Sequence, residues 1–120
     1  MSDPSEWERC GPWLAAALDR AGNTHALEDV RAMVEAGEAH FWPGRRCALV
    51  TRINEYPRLK ALSWWLIGGD DLSEVLAFLP LLERWARELG CRRMEGVGRR
   101  GWERVTGFRP LAVFMVRDLT

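Results

Sequence analysis

The feature that most constrains the fold of this chain is residues 59–90, where an apolar run meets two glycines and then a helical pattern. The run LKALSWWLI is apolar at both alternating positions, as is typical of a central strand covered on both faces. Gly68 and Gly69 end that run, and apolar residues then recur at helical spacing as far as Gly90. A strand that passes through a glycine turn into a long amphipathic helix predicts an α/β fold.

The start of this helix carries acidic residues. Asp71 is positioned to cap the helix, and Glu74 is positioned to close a capping box. Pro80 lies inside the pattern and removes an amide donor, which favours a kink or a break into two helices. One side of the helix is predicted to pack on the sheet through Leu72, Val75, Leu76, Leu79, Leu82, Ala86 and Leu89.

The flanking segments predict the other elements. The residues up to Arg20 predict one or two short helices, and those between Leu27 and Val34 predict another. HFWPGRRCALVTRI predicts a β-hairpin, with Pro43-Gly44 suited to a type II turn. Strands are predicted at 91–97 and 111–119, with a short helix at 101–107 between them. The order is α-α-β-β-β-α-β-α-β, a mixed β-sheet flanked by helices in a single domain of residues 1–120 with residues 1–4 flexible.

Composition excludes several classes of protein. The net charge is zero and 48% of residues are hydrophobic, which is ordinary for a globular domain and argues against a dedicated nucleic-acid binder. No apolar run reaches the length of a membrane span. Cys10, Cys47 and Cys91 lack the spacing of a disulfide framework, and His25 and His40 lie in different elements. We therefore expect no metal site and no membrane span.

Two motifs carry alternative interpretations. GVGRRG, residues 96–101, matches the glycine pattern of dinucleotide-binding turns, and Asp118 lies downstream for a ribose contact. The helix after it is too short for such a unit, so we interpret these glycines as turn and packing residues. Trp64 and Trp65 are consecutive on one strand and must point to opposite faces, where one could line a cleft and both could pack in the core.

The second half of the chain resembles the GNAT (Gcn5-related N-acetyltransferase) fold. The resemblance rests on a strand, a glycine turn into a long helix, a second strand and a short helix that closes with Gly107-Phe108 before a last strand. FWPGRRCALVTRI, ELGC and GRRGWERV further resemble small GNAT-like proteins encoded in tailed-phage and prophage genomes. That resemblance implies a place in the bacterial cytoplasm or in a virion.

In the GNAT family the glycine turn and the following helix N-terminus hold the pyrophosphate of acetyl-coenzyme A. The resemblance assigns that role to Ile67, Gly68, Gly69 and Ser73, if acetyl-coenzyme A binds. The turn departs from the family pattern because Asp70 and Asp71 stand where an anion would sit, and carboxylates repel a diphosphate.

A tyrosine that serves many acetyltransferases as general acid is replaced here by Glu103, four residues before Gly107. The only tyrosine of the chain is Tyr56, in a different segment. Glu55 and Glu103 are carboxylates that could act as bases, but the sequence assigns neither, so the catalytic residues stay unknown.

Two functions follow from this resemblance. The first is a phage-encoded GNAT-fold protein with a degenerate acetyl-coenzyme A site, no bound cofactor and a role in protein contacts, with virion components or a second copy as partner. The alternative is an acetyl-coenzyme A-dependent N-acetyltransferase.

Overall fold

The structure of the chain, a computed structural model, describes residues 4–119. Eight elements occur in the predicted order, which confirms the α/β class. They are α1 (Pro4–Arg20), α2 (Leu27–Glu35), β1 (His40–Pro43), β2 (Cys47–Glu55), β3 (Lys60–Gly69), α3 (Ser73–Glu88), β4 (Arg93–Gly96) and α4 (Trp102–Thr106). Of the residues predicted to be flexible, Pro4 begins α1, and residues 1–3 lie outside the described part of the chain.

The strands form one mixed sheet in the order β1-β2-β3-β4. The pairs β1–β2 and β2–β3 are antiparallel, whereas β3 and β4 are parallel. Parallel neighbours need a crossover, and α3 supplies it between β3 and β4. The mixed β-sheet flanked by helices is therefore as predicted.

Helices cover both faces of this sheet. On one face α1 and α2 pack against Ala48, Val50 and Leu66. On the other face α3 packs against residues that include Leu49 and Leu62. All five of these strand residues are at most 1% exposed. Two-sided burial explains why β2 and β3 read as apolar at both alternating positions.

The two helices that contain an internal proline are continuous. α1 runs through Pro12 as a single helix, and α3 runs through Pro80 without a break. A proline inside a helix costs about 3 kcal/mol. In α3 the burial of Val75, Leu82 and Ala86 on the sheet offsets that cost, because tertiary packing supplies most of the stability of a helix.

The predicted hairpin turn and the predicted final strand differ from the structure. Pro43 ends β1, and the hairpin turn lies at residues 44–46, closed by the Gly44 amide donating to the Cys47 carbonyl at 2.8 Å. Gly44 is not among the glycines with positive φ, so the turn is not the predicted type II turn. Residues 107–119, which include the predicted final strand, have no regular secondary structure. A strand requires a neighbouring strand, and no strand of the described chain pairs with this segment.

Candidate functional site

The glycine turn between β3 and α3 is shaped by close packing. Gly68 lies opposite Ala48, and Gly69 lies opposite Cys47 in the sheet register. A Cβ at Gly68 would stand 2.5 Å from the carbonyl oxygen of Trp13, and one at Gly69 would overlap the backbone of Arg46. Gly69 also has a φ of +139°, which side chains rarely adopt. Both glycines are therefore required by the fold itself, without any ligand.

The backbone amides of this turn already donate within the chain. The amides of Asp70 and Asp71 donate to the carbonyl oxygen of Arg46, at 2.8 and 3.2 Å. The Glu74 amide donates to the Asp71 carbonyl at 3.2 Å. These are the donors that a phosphate at a helix N-terminus would use. In this chain they hold the hairpin turn and the first turn of α3.

The side chain of Asp71 takes the place of an anion at the start of α3. Its Oδ1 atom accepts hydrogen bonds from the Ser73 amide at 3.1 Å and from the Ser73 hydroxyl at 2.5 Å. Both hydrogen bonds lower the pKa of this carboxyl, and the bond from the Ser73 hydroxyl has the larger effect. The N-cap position belongs to Leu72, so Asp71 acts one residue earlier than predicted, bonding its own backbone two residues on.

Glu74 does not close the predicted capping box. Its Oε1 atom accepts hydrogen bonds from the Arg46 amide at 3.2 Å and from the Cys47 thiol at 3.3 Å. The hydrogen bond from the Arg46 amide is the main reason that the pKa of Glu74 is lowered. Burial, followed by the bond to Glu74, raises the pKa of Cys47 to about 12. This thiol stays protonated at neutral pH and is not a nucleophile.

The four residues assigned to cofactor binding lie together, and other residues of the chain contact each of them. The carbonyl of Ile67 accepts a hydrogen bond from the Arg20 guanidinium at 3.0 Å, while its half-buried side chain packs under α3. Gly68 and Gly69 belong to the β3 ladder, and Ser73 is bonded to Asp71. No sequence pattern indicated the contact from Arg20, which is 47 residues away.

Strands β3 and β4 separate just after a tryptophan. Their last paired residues are Trp64 and Gly96, after which β3 continues to Gly69 while β4 ends. Trp64 is 4% exposed, and its ring lies 5.2 Å from that of Phe108, with Trp102 packed against the same core. Aromatic rings therefore fill the space next to the separation of β3 and β4, on the face of the sheet that α3 covers.

Trp65 occupies the opposite face, as the sequence predicted. The pairing of β2 with β3 has a bulge between Val50 and Thr51, so Trp65 has no partner residue in β2. Trp65 therefore packs on the same face of the sheet as Leu66. The Arg52 guanidinium lies 4.0 Å from the ring centre, within the range of a cation–π contact.

A polar cluster at the edge of the sheet was not found from the sequence. Glu95 accepts hydrogen bonds from Asn54 at 2.9 Å, from Tyr56, and from Arg93 at 3.0 Å. Burial raises the pKa of Glu95, but these three donors together lower it below its ordinary value. An ionised carboxylate with a lowered pKa is a poor general base. Only the pairing of β2, β3 and β4 brings these residues together.

The segment after β4 contains a short helix that is held by a local contact. α4 has only five residues. The Glu103 carboxylate accepts a hydrogen bond from the Gly101 amide at 2.9 Å. Glu103, at the position where the resemblance expects a tyrosine, therefore supports its own turn. Gly101 has a φ of +98°, which agrees with its interpretation as a turn residue.

Two further classes of site are missing from the described part of the chain. Within residues 4–119 no group of three or more His, Cys, Asp or Glu side chains could hold a metal ion. None of the helices in that range is long and apolar enough to cross a membrane.

Comparison with known proteins gives a structural likeness without a sequence match. No family model matches the chain, and no curated protein matches it. A crystal structure of a probable acetyltransferase superposes with a TM-score of 0.67 at 13% identity, covering 99% of this chain and 94% of that one. A protein from Thermus thermophilus gives a TM-score of 0.66 at 14% identity, covering 99% and 95%.

A third similar structure names the fold family. A GNAT family acetyltransferase from Staphylococcus aureus gives a TM-score of 0.60 at 10% identity, covering 98% of this chain and 95% of that one. Identities this low carry the fold and not the activity. The chain therefore has a GNAT-like fold.

Proposed function

We propose that this chain is a GNAT-fold protein whose acetyl-coenzyme A site has degenerated and which acts through contacts with other proteins. The observation that carries the proposal is the internal use of the turn amides. The Arg46 carbonyl accepts hydrogen bonds from two of these amides, and the Asp71 carboxylate accepts one from the Ser73 amide. A diphosphate would have to displace these bonds while approaching the carboxylates of Asp70 and Asp71. Each carboxylate repels an anion by about 1 to 4 kcal/mol at the dielectric of water or a protein surface.

The proposal includes an origin and a location. The resemblance of FWPGRRCALVTRI and GRRGWERV to phage GNAT-like proteins supports a phage-encoded chain in the bacterial host cytoplasm or the virion. Its expected partners are virion proteins or a second copy of the chain. The aromatic and arginine-rich residues after β4, such as Trp102, Arg104 and Phe108, have the composition of a protein interface.

Calorimetric titration with acetyl-coenzyme A at low salt tests this proposal. Weak phosphate contacts are least screened under those conditions. We expect no heat of binding at millimolar ligand. An active GNAT acetyltransferase in the same buffer is the positive control, and saturable one-to-one binding to this chain would refute the degenerate site.

The alternative function is an acetyl-coenzyme A-dependent N-acetyltransferase in which Ile67, Gly68, Gly69 and Ser73 hold the cofactor. The separation of β3 and β4 after Trp64 supports it, because an extended ligand could enter between parting strands. This function requires that the Ser73 amide be released from Asp71.

Asp71→Asn separates the two functions. The amide side chain keeps an oxygen acceptor for Ser73 but removes the negative charge. Under the alternative, this variant should bind acetyl-coenzyme A more tightly than the natural chain. Under the leading proposal, neither should bind. A substitution at Gly69 cannot serve here, because any Cβ there meets the β2 backbone and perturbs the sheet.

A further inference from the structure

The last residues that the structure describes form an exposed apolar segment. Residues 109–119, here called the C-terminal tail, have no regular secondary structure, and every one of them is exposed. The exposed fractions of Val113, Met115 and Leu119 are 77%, 84% and 93%. A run of apolar side chains so accessible to water is a site of association.

The tail has the sequence of a strand. LAVFMV, residues 111–116, is rich in β-branched and aromatic residues and apolar at both alternating positions. It contains no charge and no proline. Such a segment pairs readily with an exposed sheet edge. Its pattern suits a strand whose two faces are both covered.

The sheet has a free edge beside the start of the tail. β4 is the last strand of the sheet and pairs with β3 alone among the described strands. The ring of Phe108 packs on Trp64, which is the sheet partner of Gly96 at the end of β4. The chain is therefore anchored close to this edge and then leaves it unpaired.

We propose that the C-terminal tail of each copy adds as a strand to the outer edge of β4 in a second copy of this chain. Each copy has an unpaired strand-like segment beside the unpaired edge of β4, so a reciprocal exchange satisfies both and closes a two-fold dimer. This inference specifies how a second copy, one of the partners of the proposed function, would bind, and it does not depend on whether acetyl-coenzyme A binds.

The surface involved is large enough for a stable dimer. The large apolar side chains of the tail, Leu111, Val113, Phe114, Met115, Val116 and Leu119, are each at least 70% exposed. Covering them in both copies would remove on the order of 1,500 Å² from water, within the range of specific protein interfaces. The uncharged run from 111 to 116 introduces no like-charge repulsion between the copies.

Mass in solution tests the exchange. Sedimentation and light scattering of the full chain should give a dimer, and dilution should shift it towards monomer. Val113→Pro removes an amide donor that a sheet strand needs. Phe114→Asp puts a charge on the other face of the tail. Both variants should be monomeric with an unchanged helical circular dichroism signal, since these side chains contact little of their own copy. Pro110→Ala, just before the apolar run, is the matched control and should remain dimeric.

Hydrogen exchange shows whether the tail pairs between copies or within one copy. The amides of residues 111–116 should be protected in the dimer and should lose protection on dilution to monomer. Protection that persists in the monomer would mean that the tail pairs with its own β4 and would overturn the proposal. A natural chain that is monomeric at every concentration, or a dimer that survives both tail variants, would overturn it as well.

Discussion

The carboxylate of Glu74 accepts a hydrogen bond from the thiol of Cys47 across 3.3 Å, which ties the first turn of α3 to the start of β2. The two residues are 27 positions apart in the chain. The same carboxylate accepts the Arg46 amide, so one side chain holds both the hairpin and the helix.

The three thiols are expected to differ in reactivity. Cys10 and Cys47 are fully buried, whereas Cys91 is half-buried. Burial raises the pKa of Cys47 to about 12, so its thiolate is scarce even at an alkaline pH of about 9. Alkylation of the native chain followed by peptide mass spectrometry should label Cys91 first. Cys10 and Cys47 should be labelled only after unfolding, and early labelling of Cys47 would contradict the contact with Glu74.

Glu74→Gln should destabilise the protein in a pH-dependent way. The pKa of Glu74 is lowered from 4.5, so its contribution to stability is complete above pH 4.5 and is lost as the pH falls through the folded-state pKa. Urea unfolding should show a lower free energy for the variant at pH 7 and a smaller difference at about pH 3. Glu83→Gln, which removes an exposed i,i+4 ion pair with Arg87, is the control and should change little at either pH. A pH-independent loss would rule out the charged contact.

Gly69→Ala should destabilise the fold more than Gly90→Ala. Both glycines have positive φ, but a Cβ at Gly69 meets the β2 backbone, whereas one at Gly90 meets nothing within 4 Å. Backbone strain alone costs about 1 to 2 kcal/mol, and overpacking adds about 1 to 3 kcal/mol. Denaturant titration of the two variants measures the difference directly. Equal losses would mean that packing does not require a glycine at the end of β3.

Trp64→Ala should cost about 3 to 5 kcal/mol of unfolding free energy, because it leaves a cavity among Leu62, Phe108 and α3. Trp64→Phe should cost much less. The indole nitrogen of Trp64 is buried without a hydrogen-bond partner among the described residues, so phenylalanine removes an unsatisfied donor while keeping most of the ring. Chemical unfolding of both variants checks this order. A loss in the phenylalanine variant equal to that in the alanine variant would contradict this order.

The local sequence pattern was sufficient to predict eight helices and strands and their order. The helical spacing after Gly69 and the alternation after Cys47 are properties of neighbouring residues, so they can be recognised without knowledge of the fold. The glycine turn was located for the same reason. Its role was harder to predict, because Asp71 and Glu74 both have capping character but only Asp71 bonds locally.

The sequence by itself therefore determined the α/β class, the glycine turn and the position of Trp64 and Trp65 on opposite faces, because these depend on spacing along the chain. Only the tertiary structure decided that the turn amides donate hydrogen bonds to the Arg46 carbonyl. It likewise decided that the Glu95 carboxylate accepts hydrogen bonds from Asn54, Tyr56 and Arg93. It also decided that residues 111–119 have no strand partner within their own described chain. Hydrogen-bond partners and sheet neighbours are chosen among residues far apart in sequence, and no local pattern records that choice.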